Sequence, residues 1–192
     1  MDRVAIKAHA RKVISGKIFT ILAITIIVAI IGGILGLVPV VGWLAVIVLE
    51  GPIMFAEAKI FLGIVGKNRT PKIEDITEGL KEENFTRSFV GYLRYVVFVT
   101  LWSLLLWIPG IIKSISYSQM FFLMADDKKL DAAAAQKKSM EIMKGHKWEY
   151  FVLDLSFILW GLLCVVTLGL ATIYVAPYVS AAKAEFYRQL KK

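Results

Sequence analysis

Six ionisable residues lie inside long apolar stretches of this sequence, and they are the residues most able to do chemistry there. They are Glu50, Glu57, Lys59, Arg94, Lys113 and Asp154. A charge among apolar residues is costly, so it is expected either to pair with an opposite charge or to serve a binding or transport site. These six residues therefore form the core of the candidate site.

Two interpretations of these charges stay open. Counting about 1.5 Å of helix rise per residue places four of the six at a similar depth in their apolar runs. In the first interpretation, Arg94 pairs with Asp154 and Glu50 pairs with Lys113, and the pairs fix the order of the helices. In the second, Glu57 joins Glu50, Lys113 and Asp154 around a polar cavity for an ion, a proton or an amphiphile.

One stretch places several of these residues on a common surface. Glu50, Met54, Glu57 and Phe61 recur at intervals of three or four residues, which predicts one face of a helix. Within this stretch, Gly51-Pro52 frees a backbone carbonyl and allows a neighbouring helix to approach closely.

No recognised catalytic or metal-binding pattern occurs in the sequence. Cys164 is the single cysteine and lies in an apolar run, which predicts a small buried or lipid-facing side chain. His9 and His146 stand apart, and there is no phosphate-binding loop, nucleophile elbow or H-E-x-x-H motif. We therefore expect no catalytic residue, no metal and no cofactor, and hence no enzyme.

Six apolar runs carry these residues and predict an all-α, polytopic integral membrane protein with a single membrane domain over residues 1–192. Of these residues, 58% are hydrophobic, against about 45–50% in soluble domains. The first run, residues 18–38, contains no charge and is long enough to cross a bilayer. The runs form three transmembrane hairpins at residues 18–65, 89–124 and 150–186, with tips at residues 36–42, 107–110 and 167–169.

Positive charges indicate how the hairpins are oriented. The sequence has 23 Lys and Arg residues and 15 Asp and Glu residues. Of the 23 cations, 20 lie in four segments outside the tips, when the C-terminal segment is counted from Lys183. Such a bias predicts that these segments face the cytoplasm, together with both termini. The predicted cytoplasmic segments are residues 1–17, 66–88, 125–149 and the tail 187–192.

The longer cytoplasmic segments are predicted to form short amphipathic helices at the inner membrane surface. Asp2 and Asp131 are placed to cap two of them, and Thr70-Pro71 resembles the start of the third. The apolar stripe of this third helix consists of Ile73, Ile76 and Leu80.

A weak internal repeat indicates how the hairpins are built. Ala56-Glu57-Ala58, Ser116-Tyr117-Ser118 and Ala182-Lys183-Ala184 each place two small residues around a larger one, with an aromatic residue three positions later. Small residues at this spacing let helices approach closely in lipid. The repeating unit would be a surface helix followed by a membrane hairpin, and chance similarity between apolar helices is the alternative.

Three segments carry a resemblance to a known family. They are Ile108-Pro109-Gly110-Ile111-Ile112-Lys113-Ser114-Ile115-Ser116-Tyr117-Ser118-Gln119-Met120, residues 139–157 (SMEIMKGHKWEYFVLDLSF), and the ending Ala176-Pro177-Tyr178 with Ala184-Glu185-Phe186-Tyr187. Over about residues 1–190 the chain resembles an uncharacterised bacterial integral membrane family, domain of unknown function 975. The resemblance implies a polytopic bacterial membrane protein but no activity, and it adds Tyr117 to the candidate site because Tyr117 lies in a motif segment.

The sequence favours a non-enzymatic, multi-pass protein of the bacterial cytoplasmic membrane, with a role in membrane stress, in immunity to antimicrobial peptides or in binding a partner. The alternative is a small transporter or channel that uses the intramembrane charges. The expected partners are the lipid bilayer and anionic headgroups at the cytoplasmic face. A second copy of the chain or another membrane protein also remains open as a partner, and no nucleic acid is expected.

Overall fold

The computed structural model describes residues 2–37 and 41–191, and this part of the chain is all-helical, as the sequence predicts. Its α-helices are α1 (Arg3–Ser15), α2 (Ile18–Gly36), α3 (Val41–Lys67), α4 (Glu82–Leu105), α5 (Trp107–Tyr117), α6 (Met120–Asp126), α7 (Ala132–Ile142), α8 (Lys147–Leu155), α9 (Ile158–Val166) and α10 (Thr172–Leu190). A 3-10 helix, Ile73–Leu80, lies between α3 and α4. Residues 38–40 of the predicted first tip lie outside the described residues.

Two of the predicted helix caps are confirmed. Asp2 Oδ1 accepts hydrogen bonds from the N–H groups of Val4 and Ala5, at 2.9 and 3.3 Å. Asp131 Oδ1 accepts one from the N–H of Ala134 at 2.6 Å. Each carboxylate satisfies donors that the first turn of a helix leaves without intrahelical partners.

The prediction of a helix starting at Thr70-Pro71 is wrong, because the chain forms a 3-10 helix that begins at Ile73. The Asp75 carboxylate accepts a hydrogen bond from the Lys72 N–H at 2.8 Å. This bond closes the first turn two residues after Thr70. A 3-10 helix aligns residues three apart. This alignment keeps Ile73 with Ile76 but turns Leu80 away from them. Ile73 and Leu80 are 54% and 46% exposed, so the predicted stripe does not form one buried face.

The predicted second tip is also displaced. The chain turns at Leu106, which is extended (φ −161°, ψ 142°), and α5 already begins at Trp107. Gly110 then packs so closely on α4 that a Cβ would lie 2.2 Å from Ser103 Oγ. At the third tip the prediction is confirmed, because Leu168 and Gly169 take positive φ angles of 51° and 90° in the turn between α9 and α10.

Each hairpin is buried near its base and exposed near its tip. We call the base the helical layer made by α1, the 3-10 helix, α6, α7 and α8 with the adjoining ends of α2, α3, α4 and α10. Two apolar clusters lie in this base, one centred on Ile14, Ile64 and Phe186 and the other on Phe55 and Met124. The tip region, residues 26–37, 42–49, 96–112 and 158–170, is mostly exposed although it is strongly apolar.

The apolar faces of α1 and α7 are covered by protein. Ile6, Ala10 and Ile14 of α1 form a buried stripe within the cluster that includes α3 and α10. In α7, Ala135 and Ser139 are fully buried. These helices are amphipathic, as predicted, but their apolar faces stabilise the base and are not left for a membrane surface.

Two helical segments are long and apolar enough to cross a membrane by length and composition: Ile18–Gly36 and Lys147–Val166. Only 6% and 17% of these segments are buried within the protein. The accessible surface of the molecule is 10975 Å², whereas a soluble monomer of this mass would expose about 9,200 Å². The molecule therefore exposes more surface than a soluble monomer of its mass.

Candidate functional site

A cavity of about 240 Å³ lies between α3, α4, α5, α6, α8 and α10. Its polar lining consists of Glu57, Ser118, Ser180 and Lys183. Aromatic rings close much of the remaining wall; they belong to Phe61, Tyr95, Tyr117, Phe121, Phe122 and Tyr150. We call this space the polar cavity.

The charged groups of the polar cavity are unequally paired. Lys183 Nζ lies 3.3 Å from Asp154 Oδ1 and 5.8 Å from the centre of the Tyr150 ring. Glu57 accepts a hydrogen bond from the Ser180 hydroxyl, and within residues 2–37 and 41–191 it forms no ion pair. Two carboxylates thus face one ammonium group, so the ionised cluster of Glu57, Asp154 and Lys183 has a net charge of −1.

A second cavity, of about 210 Å³, lies between α2, α3, α10 and the 3-10 helix. We call it the apolar cavity, because its walls are mainly branched aliphatic side chains. They include Ile21, Ile24, Val28, Ile53, Ile60 and Ile76. Glu57 and Phe61 line both cavities, and Glu57 is the ionisable residue in the wall of the apolar cavity.

The structure brings together Glu57, Tyr117 and Asp154 of the predicted site. Tyr117 is buried and meets Tyr95 edge-on, with ring centres 6.5 Å apart. The predicted helix face is confirmed for Met54, Glu57 and Phe61, which all line the polar cavity. Glu50, on the same helix, is half-buried and lines neither cavity.

Neither of the predicted ion pairs, Glu50–Lys113 and Arg94–Asp154, forms among the described residues. Lys113 lies over the Trp102 ring, with Nζ 4.6 Å from its centre, and no ion pair joins it to Glu50 in the described chain. Arg94 donates from Nε and Nη2 to Gln136 Oε1, at 3.1 and 2.9 Å. Asp154 pairs with Lys183 instead. Depth along an apolar run does not fix the direction in which a side chain leaves its helix, and this direction selects the partner.

Lys59 serves a different part of the molecule. It pairs with Glu78 of the 3-10 helix, and Lys81 pairs with the same carboxylate. Hydrogen bonds from Lys59 and Lys81 hold the pKa of Glu78 below its ordinary value. Lys59 therefore attaches the 3-10 helix to α3 and does not belong to the polar cavity.

Lys183 is the site residue that the charge pattern concealed, because it was counted among the cytoplasmic cations. The internal repeat contains a signal for it. Glu57, Tyr117 and Lys183 are the middle residues of the three small-x-small segments, and all three line the polar cavity. The flanking residues Ala56, Ala58, Ala182 and Ala184 are buried, which allows the helices to approach closely.

The described part of the chain contains no cluster of side chains that could bind a metal ion. Between residues 2 and 37 and between 41 and 191, no group of three or more His, Cys, Asp or Glu side chains is placed to hold a metal ion. The chemistry open to the polar cavity is that of the Glu57 carboxylate, the Lys183 ammonium group held by Asp154, hydroxyl groups and aromatic faces. Such groups bind and orient a small charged molecule.

The sequence matches a family described as "Protein of unknown function (DUF975)" over residues 1–116 and 93–192, which together cover the whole chain. The chain belongs to the DUF975 family. No curated protein and no solved structure matches it. For this DUF975 protein, the geometry of the two cavities is therefore the main guide to function.

Proposed function

We propose that this DUF975 protein is a multi-pass protein of the bacterial cytoplasmic membrane that binds a membrane-resident ligand or partner and catalyses no reaction. The observation that carries the proposal is the division of the molecule into a packed base and an exposed apolar tip region. A contiguous apolar surface of this kind is not stable in water and marks a membrane or protein contact.

The proposed arrangement has six apolar helical limbs in three hairpins, with both termini and the base on the cytoplasmic side. Of the limbs, Ile18–Gly36 and Lys147–Val166 are long enough alone. The other limbs contain a charge or a break, which neighbouring helices would shield within the bundle. Lys and Arg concentrated in the base favour this orientation, because they would contact anionic headgroups.

Membrane extraction tests the location. Membranes from expressing cells are washed with alkaline carbonate, which releases peripheral proteins, and then with a mild detergent. We expect the protein to stay in the pellet in carbonate and to dissolve in detergent. Release by carbonate would contradict the proposal. It would mean that the protein is held at the membrane surface only by the Lys and Arg residues of its base.

In the cell, we propose that the protein contributes to resistance to membrane-active peptides. Cells that lack the gene should become more sensitive to cationic membrane-active peptides, and restoring the gene should reverse the effect. Unchanged sensitivity would contradict this role while leaving the membrane location intact.

A small transporter or channel is the second candidate, and one observation favours it. Glu57 is enclosed by helices on several sides and yet is reached by solvent through the cavities. If the cavities are a transport path, proteoliposomes should pass protons or monovalent cations, and Glu57→Gln should abolish the flux. Glu50→Gln is the matched control, since Glu50 lies on the same helix outside both cavities. Flux that survives Glu57→Gln would contradict transport.

A further inference from the structure

We propose that the two cavities together bind an amphiphile with a single positively charged amine head, whose ammonium group contacts Glu57 and whose alkyl chain occupies the apolar cavity. This inference deepens the proposed function and rests on it, because the membrane would supply such a ligand. It names the chemical class of the ligand and the residue that recognises its head.

The charge of the ligand follows from the pairing in the polar cavity. Lys183 is already neutralised by Asp154 at 3.3 Å. Glu57 has a hydroxyl partner, Ser180, and forms no ion pair in the described chain. Lys183 attracts it only from a longer distance. The Glu57 side chain is exposed to the space of the two cavities, so an ammonium group that enters them can donate a charge-assisted hydrogen bond to this carboxylate. One positive charge balances the net −1 of the cluster.

An acidic ligand fits this cluster less well. Its natural partner would be Lys183, which would have to leave Asp154, and Glu57 would then repel the ligand. The rings of Tyr95, Tyr117 and Tyr150 around the polar cavity also favour a cation, because the faces of aromatic rings attract positive charge.

The alkyl chain follows from the position of Glu57 between the cavities. The apolar cavity begins at the same carboxylate, and Ile24, Val28 and Ile60 contribute aliphatic wall to it. A short hydrophilic amine would satisfy Glu57 and leave this wall unused. A ligand with an alkyl chain next to its ammonium group would bury the chain against the wall and gain hydrophobic free energy.

The test measures binding to the full-length protein in a neutral detergent by calorimetry, with four probes. Octylamine has both the ammonium group and the long alkyl chain. Butylamine has a shorter chain, octanoate has a negative head group and octanol has an uncharged head group. The variants are Glu57→Gln, which removes the carboxylate charge, and Val28→Phe, which narrows the apolar cavity. Glu50→Gln is the control, because it makes the same chemical change on the same helix outside both cavities.

We expect octylamine to bind the wild-type protein more tightly than the other three probes. Glu57→Gln should weaken octylamine binding by about 10-fold or more, because it removes the charge that the ammonium group contacts. Glu50→Gln should change the affinity much less, because Glu50 lines neither cavity and acts on Glu57 only through space. Val28→Phe should weaken octylamine binding but not butylamine binding, and it keeps the proposal testable if Glu57→Gln does not fold.

Three results would overturn the inference: equal octylamine affinity in Glu57→Gln and wild type, octanoate binding as tightly as octylamine, or butylamine binding as tightly as octylamine. The carbonate wash separates this failure from failure of the proposed function. A carbonate-resistant protein that does not bind octylamine contradicts the inference alone, whereas a carbonate-released protein contradicts the membrane location.

Discussion

Glu78 accepts hydrogen bonds from two lysines that differ in burial. Lys59 comes from α3 and its side chain is 31% exposed, whereas the Lys81 side chain is 53% exposed at the end of the 3-10 helix. Shielding from water strengthens an ion pair. The Lys59 pair should therefore contribute more to the attachment of the 3-10 helix than the Lys81 pair.

Substitution of each lysine tests this difference. Lys59→Met should lower the free energy of unfolding by roughly 1–2 kcal/mol, because it leaves the Glu78 carboxylate with its more exposed partner only. Lys81→Met should have a smaller effect, since water already solvates that ammonium group. Thermal unfolding of the detergent-solubilised variants measures both, and an equal loss in the two variants would show that burial does not distinguish these pairs.

The same carboxylate predicts a pH dependence. The pKa of Glu78 is lower in the folded protein than its ordinary value of 4.5 because of the hydrogen bonds from Lys59 and Lys81. Its contribution to stability is therefore complete above the ordinary pKa and is lost as the pH falls through the lowered value.

Between about pH 6 and pH 3, the wild-type protein should lose more thermal stability than Glu78→Gln, which has no carboxylate to protonate. The comparison uses thermal unfolding of both proteins in the same detergent. Parallel losses of stability over this range would contradict the role given to Glu78.

At the level of single residues, the sequence identified the carboxylates of the site better than their partners. Glu57 and Asp154 were detectable because a charge in an apolar run is conspicuous. Lys183 was not, because it lies close to the basic end of the chain, where a cation indicates orientation in the membrane. Its equivalence with Glu57 in the internal repeat was the more informative feature.

The 3-10 helix is held to α3 by close packing as well as by charge. A Cβ on Gly79 would lie 1.9 Å from the Pro52 carbonyl oxygen, so only glycine allows the two elements to approach this closely. Ile76 of the 3-10 helix contributes to the wall of the apolar cavity. The packing at Gly79 thus keeps that cavity closed on one side.

Gly79→Ala should displace the 3-10 helix and destabilise the protein by about 1–3 kcal/mol, the usual cost of overpacking. Gly161→Ala in α9 is the control, because a Cβ there meets nothing within 4 Å and alanine favours the helix. Thermal unfolding compares the two variants with wild type. A Gly79→Ala protein as stable as the control would contradict the close packing.

At the level of elements, local signals predicted some helices and failed where distant contacts decide. The caps at Asp2 and Asp131 act within one turn, so the sequence alone revealed them. The start predicted at Thr70-Pro71 failed because the Asp75 carboxylate closes the first turn at Lys72 and the 3-10 helix packs on Pro52 through Gly79. The second tip failed because Gly110 is used for contact with Ser103 and not for a turn.

Within residues 2–37 and 41–191, the helices pair as three hairpins that share a packed base. The middle residues of the repeated segments, Glu57, Tyr117 and Lys183, converge on one polar cavity in this base. The tips project beyond the base with exposed residues such as Trp107 and Leu168, which are 84% and 95% exposed. In the proposed topology, lipid surrounds the tips and the cavity lies near the cytoplasmic side of the membrane.

Two-sided cysteine labelling tests this arrangement most directly. Cys164→Ser removes the single cysteine, and one cysteine is then placed at an exposed position in each variant. The tip positions are Leu37, Trp107 and Leu168, and the base positions are Val4 and Lys129. A membrane-impermeant maleimide should label the tip variants in intact cells and the base variants only in inside-out vesicles. Labelling of tip and base variants from the same side would contradict the three-hairpin arrangement.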